Sequence, residues 1–197
     1  MRTILCRIGW MTEYRGHGRI YFGNMNFDHE GEGYGEAWNF KPRDDGFVRG
    51  FVMLTAKYRI GARQGEYTGT IDINKLGARI RDDYIDAITV IFFAPNPDDH
   101  DNNYVVGWYE NAIVYRSWIE DKDKKQPYSF EVTPNNTFLI PENQRDIEII
   151  SAQYARANNI PGSYPGMSNV FFCNSNPKYV KGIIKKLRKI KKVCQAS

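Results

Sequence analysis

The sequence predicts an α+β, mostly β fold: a partly closed β-barrel or strongly bent sheet with short peripheral helices and a basic C-terminal helix. β-type runs recur between glycine-rich turns over most of the 197 residues. Helical periodicity is sparse before residue 140, so few crossover helices are predicted to join parallel strands. A bent or nearly closed arrangement fits these two observations better than a parallel α/β sheet.

Short β-type runs, separated by turn residues, supply the first half of the predicted sheet. They cover residues 4–8, 19–23, 36–40 and 47–55. The next run, from Ala87 to Phe93, is apolar throughout, which is typical of a strand covered on both faces.

The second half of the sheet is predicted to follow a polar loop. This loop covers residues 96–103, and it begins after Pro95 ends the apolar strand. Residues 104–109 and 112–118 indicate an antiparallel pair joined through Glu110-Asn111. The last two predicted strands cover residues 128–132 and 137–140.

Helical signals are clear only near the C-terminus. A short turn is predicted over residues 72–76 and a helix over residues 146–158. Asn176 and Pro177 suit the N-cap and first turn of a final helix, whose apolar stripe consists of Tyr179, Ile183, Leu187 and Ile190. The chain is therefore divided into a body, residues 1–175, and a basic amphipathic helix, residues 176–197.

The net charge of +4 is divided unevenly along the chain. Residues 177–197 carry eight of the 27 Lys and Arg residues and no Asp or Glu, a local charge of +8. The first 176 residues hold the other 19 basic residues against all 23 acidic ones, a net charge of −4. The helix therefore suits contact with nucleic acid. A solvated helix packed on the body and a dimerisation contact stay open as alternatives.

Cysteine usage and hydropathy predict a cytoplasmic protein with no membrane partner. Cys6, Cys173 and Cys194 are odd in number and lack CxxC spacing, which favours reduced thiols. The N-terminus carries a charge at Arg7 and no apolar run long enough for a signal peptide. No stretch approaches the roughly 18 apolar residues of a membrane span.

Catalytic and metal-binding motifs do not stand out. His100 lies in Asp98-Asp-His-Asp101, which has metal-type ligands but no spaced partner, so a solvated turn is favoured. The run Gly31-Glu-Gly-Tyr-Gly35 is glycine-rich like a phosphate loop, but no helix is predicted to follow it. We therefore predict no enzyme activity, no catalytic residue, no metal and no cofactor.

Aromatic rings and amides occur together at three places and predict a ligand pocket. An extruded base requires stacking on its faces and amide partners at its edge. The pocket candidates are Trp10, Trp38, Asn39, Phe40, Trp108, Tyr109 and Asn111. On composition alone, a packed core rich in Tyr and Trp is the favoured alternative.

Five motifs carry a resemblance to a known family. In chain order they are Gly9-Trp-Met11, Asn39-Phe-Lys-Pro42, Ile73-Asn-Lys-Leu-Gly77, Gly107-Trp-Tyr-Glu-Asn-Ala-Ile-Val-Tyr-Arg116 and Gly166-Met-Ser-Asn-Val-Phe-Phe172. Together they resemble the N-terminal domain found ahead of HNH-type nuclease modules in bacterial modification-dependent endonucleases. That domain is similar in kind to the PUA superfamily, which includes the EVE, YTH, ASCH and SRA readers of modified bases. The resemblance covers roughly residues 4–173.

The resemblance implies a PUA-like barrel whose pocket receives a flipped, modified base from double-stranded DNA. It marks as pocket residues Trp10, Asn39, Trp108, Tyr109 and Asn111. Ligand or backbone contacts are expected from Arg116, Ser168 and Asn169, and the basic helix adds Lys181, Lys185 and Lys189. A fused or associated nuclease module is the implied partner.

These expectations describe a sensor of 5-methylcytosine, 5-hydroxymethylcytosine or N6-methyladenine in a restriction system that serves phage defence. A small-molecule or nucleotide sensor that regulates an attached effector is the main alternative. A nuclease in its own right, using scattered Asp, Glu and His side chains, is a third.

Overall fold

An eight-stranded mixed sheet organises the part of the chain that the structure describes. The computed structural model describes residues 2–16, 20–22, 35–54, 69–120 and 127–196. The strands are β1 (Thr3–Arg7), β2 (Trp10–Met11), β3 (Ile20–Phe22), β4 (Val48–Gly50), β5 (Tyr84–Asn96), β6 (Asp99–Ile119), β7 (Tyr128–Val132), β8 (Thr137–Leu139), β9 (Glu148–Ile149) and β10 (Val170–Phe172). The helices are α1 (Ala152–Ala157) and α2 (Pro177–Ala196), with 3-10 turns at Gly35–Trp38, Ile73–Leu76, Pro134–Asn136, Glu142–Gln144 and Cys173–Ser175.

Most predicted strands are confirmed, with shorter bounds in some cases. β1, β3, β4, β5, β7 and β8 each fall within or beside a predicted run. β2 and β3 form a separate two-stranded sheet. The strand ends predicted at residues 19, 23 and 55, and the glycine-rich run over residues 31–34, lie outside the described residues.

The chain combines helix and strand and is mostly sheet, as predicted, but the main sheet is not closed into a barrel. Its order is β10-β1-β5-β6-β7-β4, and β8 and β9 also pair with β6. The pair β1–β5 is parallel, whereas the other pairs of this sheet are antiparallel. Within the described residues, β10 and β4 stand at opposite ends of the order and do not pair. β7, β8 and β9 pair with successive parts of the long strand β6.

The two longest strands, β5 and β6, form one hairpin. Asn96 pairs with Asp99, so only Pro97 and Asp98 lie between the strands. The predicted polar loop over residues 96–103 is therefore wrong, because most of it is strand. The predicted hairpin through Glu110-Asn111 is also wrong, since β6 continues through this step without turning back.

Two bulges replace the predicted turn. Ala87 on β5 and Asn111 on β6 both have a φ of 53°, and each adds one residue to its strand where the pairing register shifts. The two additions lie on opposite strands, so the pairing returns to its original register from Val90 to Phe92, and it shifts again between Phe92 and Phe93. Each bulge also reverses which alternate residues point to a given face. Tyr109 consequently shares a hydrophobic layer with Ala112, whereas Trp108 lies in the other layer.

Hydrophobic layers cover both faces of the sheet. One layer contains an aromatic cluster with ring centroids 4.8 to 5.7 Å apart, formed by Phe40, Phe92, Tyr109 and Phe130. The second layer joins the opposite face to α2 through Leu5, Ile91, Trp108, Val180, Ile183 and Leu187. The apolar stripe of the C-terminal helix is thus used within its own chain.

The predicted strand over residues 36–40 is wrong, because this run forms a 3-10 turn from Gly35 to Trp38. The buried carboxylate of Glu36 accepts hydrogen bonds from the backbone N–H groups of Gly9 at 2.9 Å and Met53 at 3.3 Å. These bonds tie three separate segments together, and a turn presents the carboxylate to both donors.

The predicted helices are confirmed in position, although one is shorter than expected. Of residues 146–158, only α1 is α-helical, and the Ser151 hydroxyl caps it by accepting from the Tyr154 N–H at 3.1 Å. α2 begins as predicted, with Asn176 Oδ1 accepting from the Tyr179 N–H at 3.3 Å. Neither described helix combines the length and apolar character needed to cross a lipid bilayer.

Candidate functional site

Trp108 and Tyr109, the centre of the predicted pocket, lie on opposite faces of the sheet and share no cavity. Trp108 is 2% exposed, and its ring stacks on Phe138 with centroids 4.7 Å apart. Its indole N–H donates to Glu110 at 3.2 Å. Tyr109 is fully buried in the other layer, where its hydroxyl donates to the Asn39 carbonyl oxygen.

Asn39 and Phe40 are structural residues in this fold. The Asn39 side chain donates to the Phe51 carbonyl at 2.9 Å and accepts from the Phe51 N–H at 2.7 Å. Both polar groups of the amide are therefore engaged with backbone. Phe40 belongs to the aromatic cluster of the first layer, 5.3 Å from Tyr109 between ring centroids.

Trp10 lies in a buried cation–aromatic cluster that the sequence did not indicate. Its indole N–H donates to Glu142 at 2.8 Å, and the Arg145 guanidinium lies 4.7 Å from the ring centroid. Arg145 is 7% exposed and donates to the carbonyl oxygens of Met11, Thr12 and Ile140. Burial lowers the pKa of this guanidinium. The cluster ties the Trp10 segment to the chain after β8.

The remaining pocket candidates lie apart from these. Trp38 is half-buried, with the Lys41 ammonium 4.4 Å from its ring centroid. Asn111 is exposed on its bulge. Of the seven candidates, five are therefore buried, Trp38 packs against the first layer, and Asn111 is exposed.

A cationic groove of about 870 Å³ runs along one flank of α2. We call it the α2 groove. Its far wall comes from the start of β1 and from the 3-10 turns at Ile73–Leu76 and Cys173–Ser175. It is lined by seven cationic side chains: Arg2, Lys75, Lys181, Lys185, Arg188, Lys189 and Lys192. No Asp or Glu is present among its described lining residues, so its potential is strongly positive.

A second cavity of about 680 Å³ adjoins the groove, and Lys75 lines both. We call it the side cavity. It brings together three predicted contact residues, Arg116, Ser168 and Asn169. Thr70, Asp72 and the Phe172 ring also line it. The Lys75 ammonium stands 3.6 Å from the Asp72 carboxylate and 5.0 Å from the Phe172 ring centroid.

The three predicted contact residues in the side cavity have different roles. Arg116 donates to two backbone carbonyls, of Asp82 at 2.9 Å and Arg79 at 2.9 Å, and to the Asn74 side chain at 3.0 Å. Because these acceptors are neutral, the guanidinium charge is not cancelled by them. Asn169 donates to the Met53 carbonyl at 2.7 Å. Ser168 is exposed and bonds locally to Val170.

Sequence reasoning found part of this surface and missed the rest. Lys181, Lys185 and Lys189 were predicted from the charge of the helix, and all three line the α2 groove. Arg2 and Lys75 were not predicted as contacts, because nothing in a local pattern reveals that they fold against α2. The motif Ile73-Asn-Lys-Leu-Gly77 contains Lys75, but nothing within this motif indicated that its lysine is a contact residue.

The described residues include no group of three or more His, Cys, Asp or Glu side chains placed to hold a metal ion. Comparison of the chain with family models, curated proteins and solved structures finds no match.

Proposed function

We propose that this chain is a non-catalytic module that binds double-stranded DNA through the α2 groove and reads a modified base. The observation that carries the proposal is the groove itself, where seven cations line one surface and no Asp or Glu is among the described lining residues. The same proposal includes a relationship of this chain to PUA-like readers, a cytoplasmic location, and a fused or associated nuclease module in a restriction system.

Electrostatics favour a polyanion as the partner of this surface. Each phosphate that a lysine or arginine neutralises releases condensed counterions, so affinity falls steeply with salt. The first 176 residues carry a net charge of −4, which leaves the α2 side as the attractive one. The charge distribution therefore orients the DNA as well as binding it.

We place the extruded base in the side cavity and not among the buried aromatics. The side cavity lies next to the cationic groove, so a strand held in the groove has a short path to it. Phe172 offers a ring for stacking, and Asp72, Thr70 and Asn169 offer polar groups to a base edge. The side cavity would distinguish a modified base from an unmodified base by how well each of them fits inside it.

The electrostatic part is tested with two charge-matched double variants. Lys181→Ala with Lys185→Ala removes two groove cations, whereas Lys178→Ala with Lys186→Ala removes two exposed α2 cations that do not line the groove. In gel shifts over a salt series, the groove variant should lower the slope of log affinity against log salt by roughly 2. The control pair should change it much less. Equal effects of the two pairs would sink the groove as the binding surface.

The base-reading part is tested with a duplex panel at physiological salt. Matched duplexes carrying 5-methylcytosine, 5-hydroxymethylcytosine, N6-methyladenine or no modification are compared for affinity. One modified duplex should bind more tightly than the plain duplex, and Asp72→Asn should reduce that preference while leaving plain DNA bound. Equal affinity for all four duplexes would refute base reading and leave general DNA binding intact.

A small-molecule or nucleotide sensor is the second candidate, and the apolar wall of the α2 groove favours it. Salt separates the two functions, because a ligand held largely by apolar contact is retained at ionic strengths that release DNA.

A further inference from the structure

We propose that the α2 groove is a binding site for an anionic amphiphile, a ligand with an aliphatic body and a phosphate or carboxylate head. This inference does not depend on DNA binding. It rests on the apolar wall that lies between the cations. Binding of a nucleic acid backbone requires the cations but does not require an apolar wall.

The wall of the α2 groove is apolar. Leu76, Pro177, Val180 and Ile184 contribute to it, and the Cys173 thiol lies among them. Burial raises the pKa of that thiol, so it adds no negative charge. The volume of about 870 Å³ falls within the roughly 300–1,000 Å³ typical of small-ligand sites. A hydrated phosphodiester strand leaves such a wall uncovered, whereas an aliphatic chain buries it.

Thr3 provides an independent observation at this wall. Its side chain is 4% exposed and lines the groove. Its hydroxyl has no hydrogen-bond partner within the described part of the chain. Buried hydroxyl groups are normally paired, and an oxygen of a ligand head at this wall would pair it.

The cations suit the head and body of an amphiphile together. Lysine and arginine stems lie along apolar surface while their charged ends reach outward. Lys181, Lys185 and Arg188 follow one flank of α2 beside Ile184, so an aliphatic chain on the wall places its head among them. A carboxylate or phosphate there gains charge complementarity that a neutral chain lacks.

The first experiment measures binding of four probes to the full chain by calorimetry, below micelle-forming concentrations. The probes are decyl phosphate, decanoate, 1-decanol and inorganic phosphate. Decyl phosphate or decanoate should bind at least roughly ten-fold more tightly than 1-decanol and inorganic phosphate, because only these two combine chain and charge. Equal affinity for decyl phosphate and inorganic phosphate would overturn the proposal. Binding to anionic phospholipid vesicles without binding of monomeric probes would overturn it in favour of a membrane surface.

Two variants locate the site without changing charge. Ile184→Trp fills the groove and should weaken decyl phosphate binding roughly ten-fold. Thr3→Val removes only the hydroxyl and should weaken it several-fold, with unchanged thermal stability, which keeps the test valid if the larger side chain disturbs folding. Unchanged affinity in both variants would overturn the proposal.

The DNA assays keep the two proposals separate. Bound decyl phosphate should weaken DNA binding, since the head occupies the same lysines. DNA binding without probe binding refutes the amphiphile site alone, and probe binding without DNA binding refutes the DNA function alone.

Discussion

At the scale of single residues, buried polar side chains that bond to backbone hold the irregular segments in place. Glu36, Asn39 and Arg145 each bond to main-chain groups of another segment, and Tyr14 bonds to those of Gly9 and Met11 in its own segment. Those segments lie outside the main ladder, so their backbone groups need other partners. Of these four residues only Asn39 was predicted as a ligand contact, and both polar groups of its side chain bond to the Phe51 backbone.

Tyr14→Phe should destabilise the protein by about 1–3 kcal/mol. The fully buried hydroxyl donates to the Gly9 carbonyl at 2.7 Å and accepts from the Met11 N–H at 3.2 Å, and the substitution leaves both groups unpaired. Urea unfolding measures the loss. Tyr84→Phe, at a half-exposed tyrosine, is the control and should change stability by less than about 0.5 kcal/mol. Equal effects at the two positions would contradict this account.

Glu36 should make stability depend on pH. Burial raises the pKa of its carboxyl above the ordinary value, so the folded state holds the proton more tightly than the unfolded chain. The stabilisation that this proton provides is complete below the pKa that the Glu36 carboxyl has in the unfolded chain. It is lost as pH rises through the pKa of the same carboxyl in the folded protein. Wild-type stability should therefore fall relative to Glu36→Gln as pH rises above about 4.5.

Urea unfolding at several pH values tests this difference. Gln loses one of the two backbone acceptor contacts, so the variant should be less stable at low pH, and the gap should narrow as pH rises. Glu120→Gln, at an exposed site, is the control, and its stability should change with pH in the same way as that of the wild type. A constant gap between wild type and Glu36→Gln would show that Glu36 does not change protonation in this range.

At the scale of elements, the paired bulges set the path of the long hairpin. Ala87 occupies the left-handed region, which costs a residue with a Cβ about 1–2 kcal/mol. Ala87→Gly should therefore raise the free energy of unfolding by about 1 kcal/mol. Ala94→Gly makes the same chemical change in the regular part of β5 and should lower it by about 1 kcal/mol. Urea unfolding that gave both changes the same sign would refute the bulge assignment.

Local composition predicted the existence of most strands but not their connections. The apolar run of β5 and the cap of α2 were visible because each depends on neighbouring residues. Asn111 also indicated correctly that the backbone is irregular at this position, because asparagine tolerates the positive φ that it has here. We interpreted that signal as a turn, whereas a bulge in a continuous strand uses the same conformation. The pairing between strands distinguishes a turn from a bulge at Asn111, and this pairing cannot be deduced from the neighbouring residues alone.

At the scale of the whole molecule, α2 is part of the core and not an appendage. Val180, Ile183 and Leu187 are buried in the second layer, and Lys191 meets Glu110 at 2.6 Å. This packing agrees with the alternative of a helix that is held on the body by its apolar stripe. The α2 groove likewise draws on segments far apart in sequence, so only its lysines on α2 were predictable.

Removal of residues 177–197 should abolish cooperative folding. Truncation exposes the second layer, including Leu5, Ile91 and Trp108, to water. Thermal unfolding and gel filtration should show a lost transition and self-association. A charge-only control, Lys178→Ala with Lys186→Ala, should unfold like the wild type. A truncated chain with an unchanged transition would show that the helix is dispensable for the fold.

The paired bulges also constrain how the length of this chain can vary in evolution. Loss of Ala87 alone or Asn111 alone would leave one strand a residue short and shift every pair beyond it, turning buried side chains towards the wrong layer. Loss of both would shorten the hairpin while preserving its pairing. Natural variants of this hairpin should therefore gain or lose these two residues together, although the residues lie on different strands.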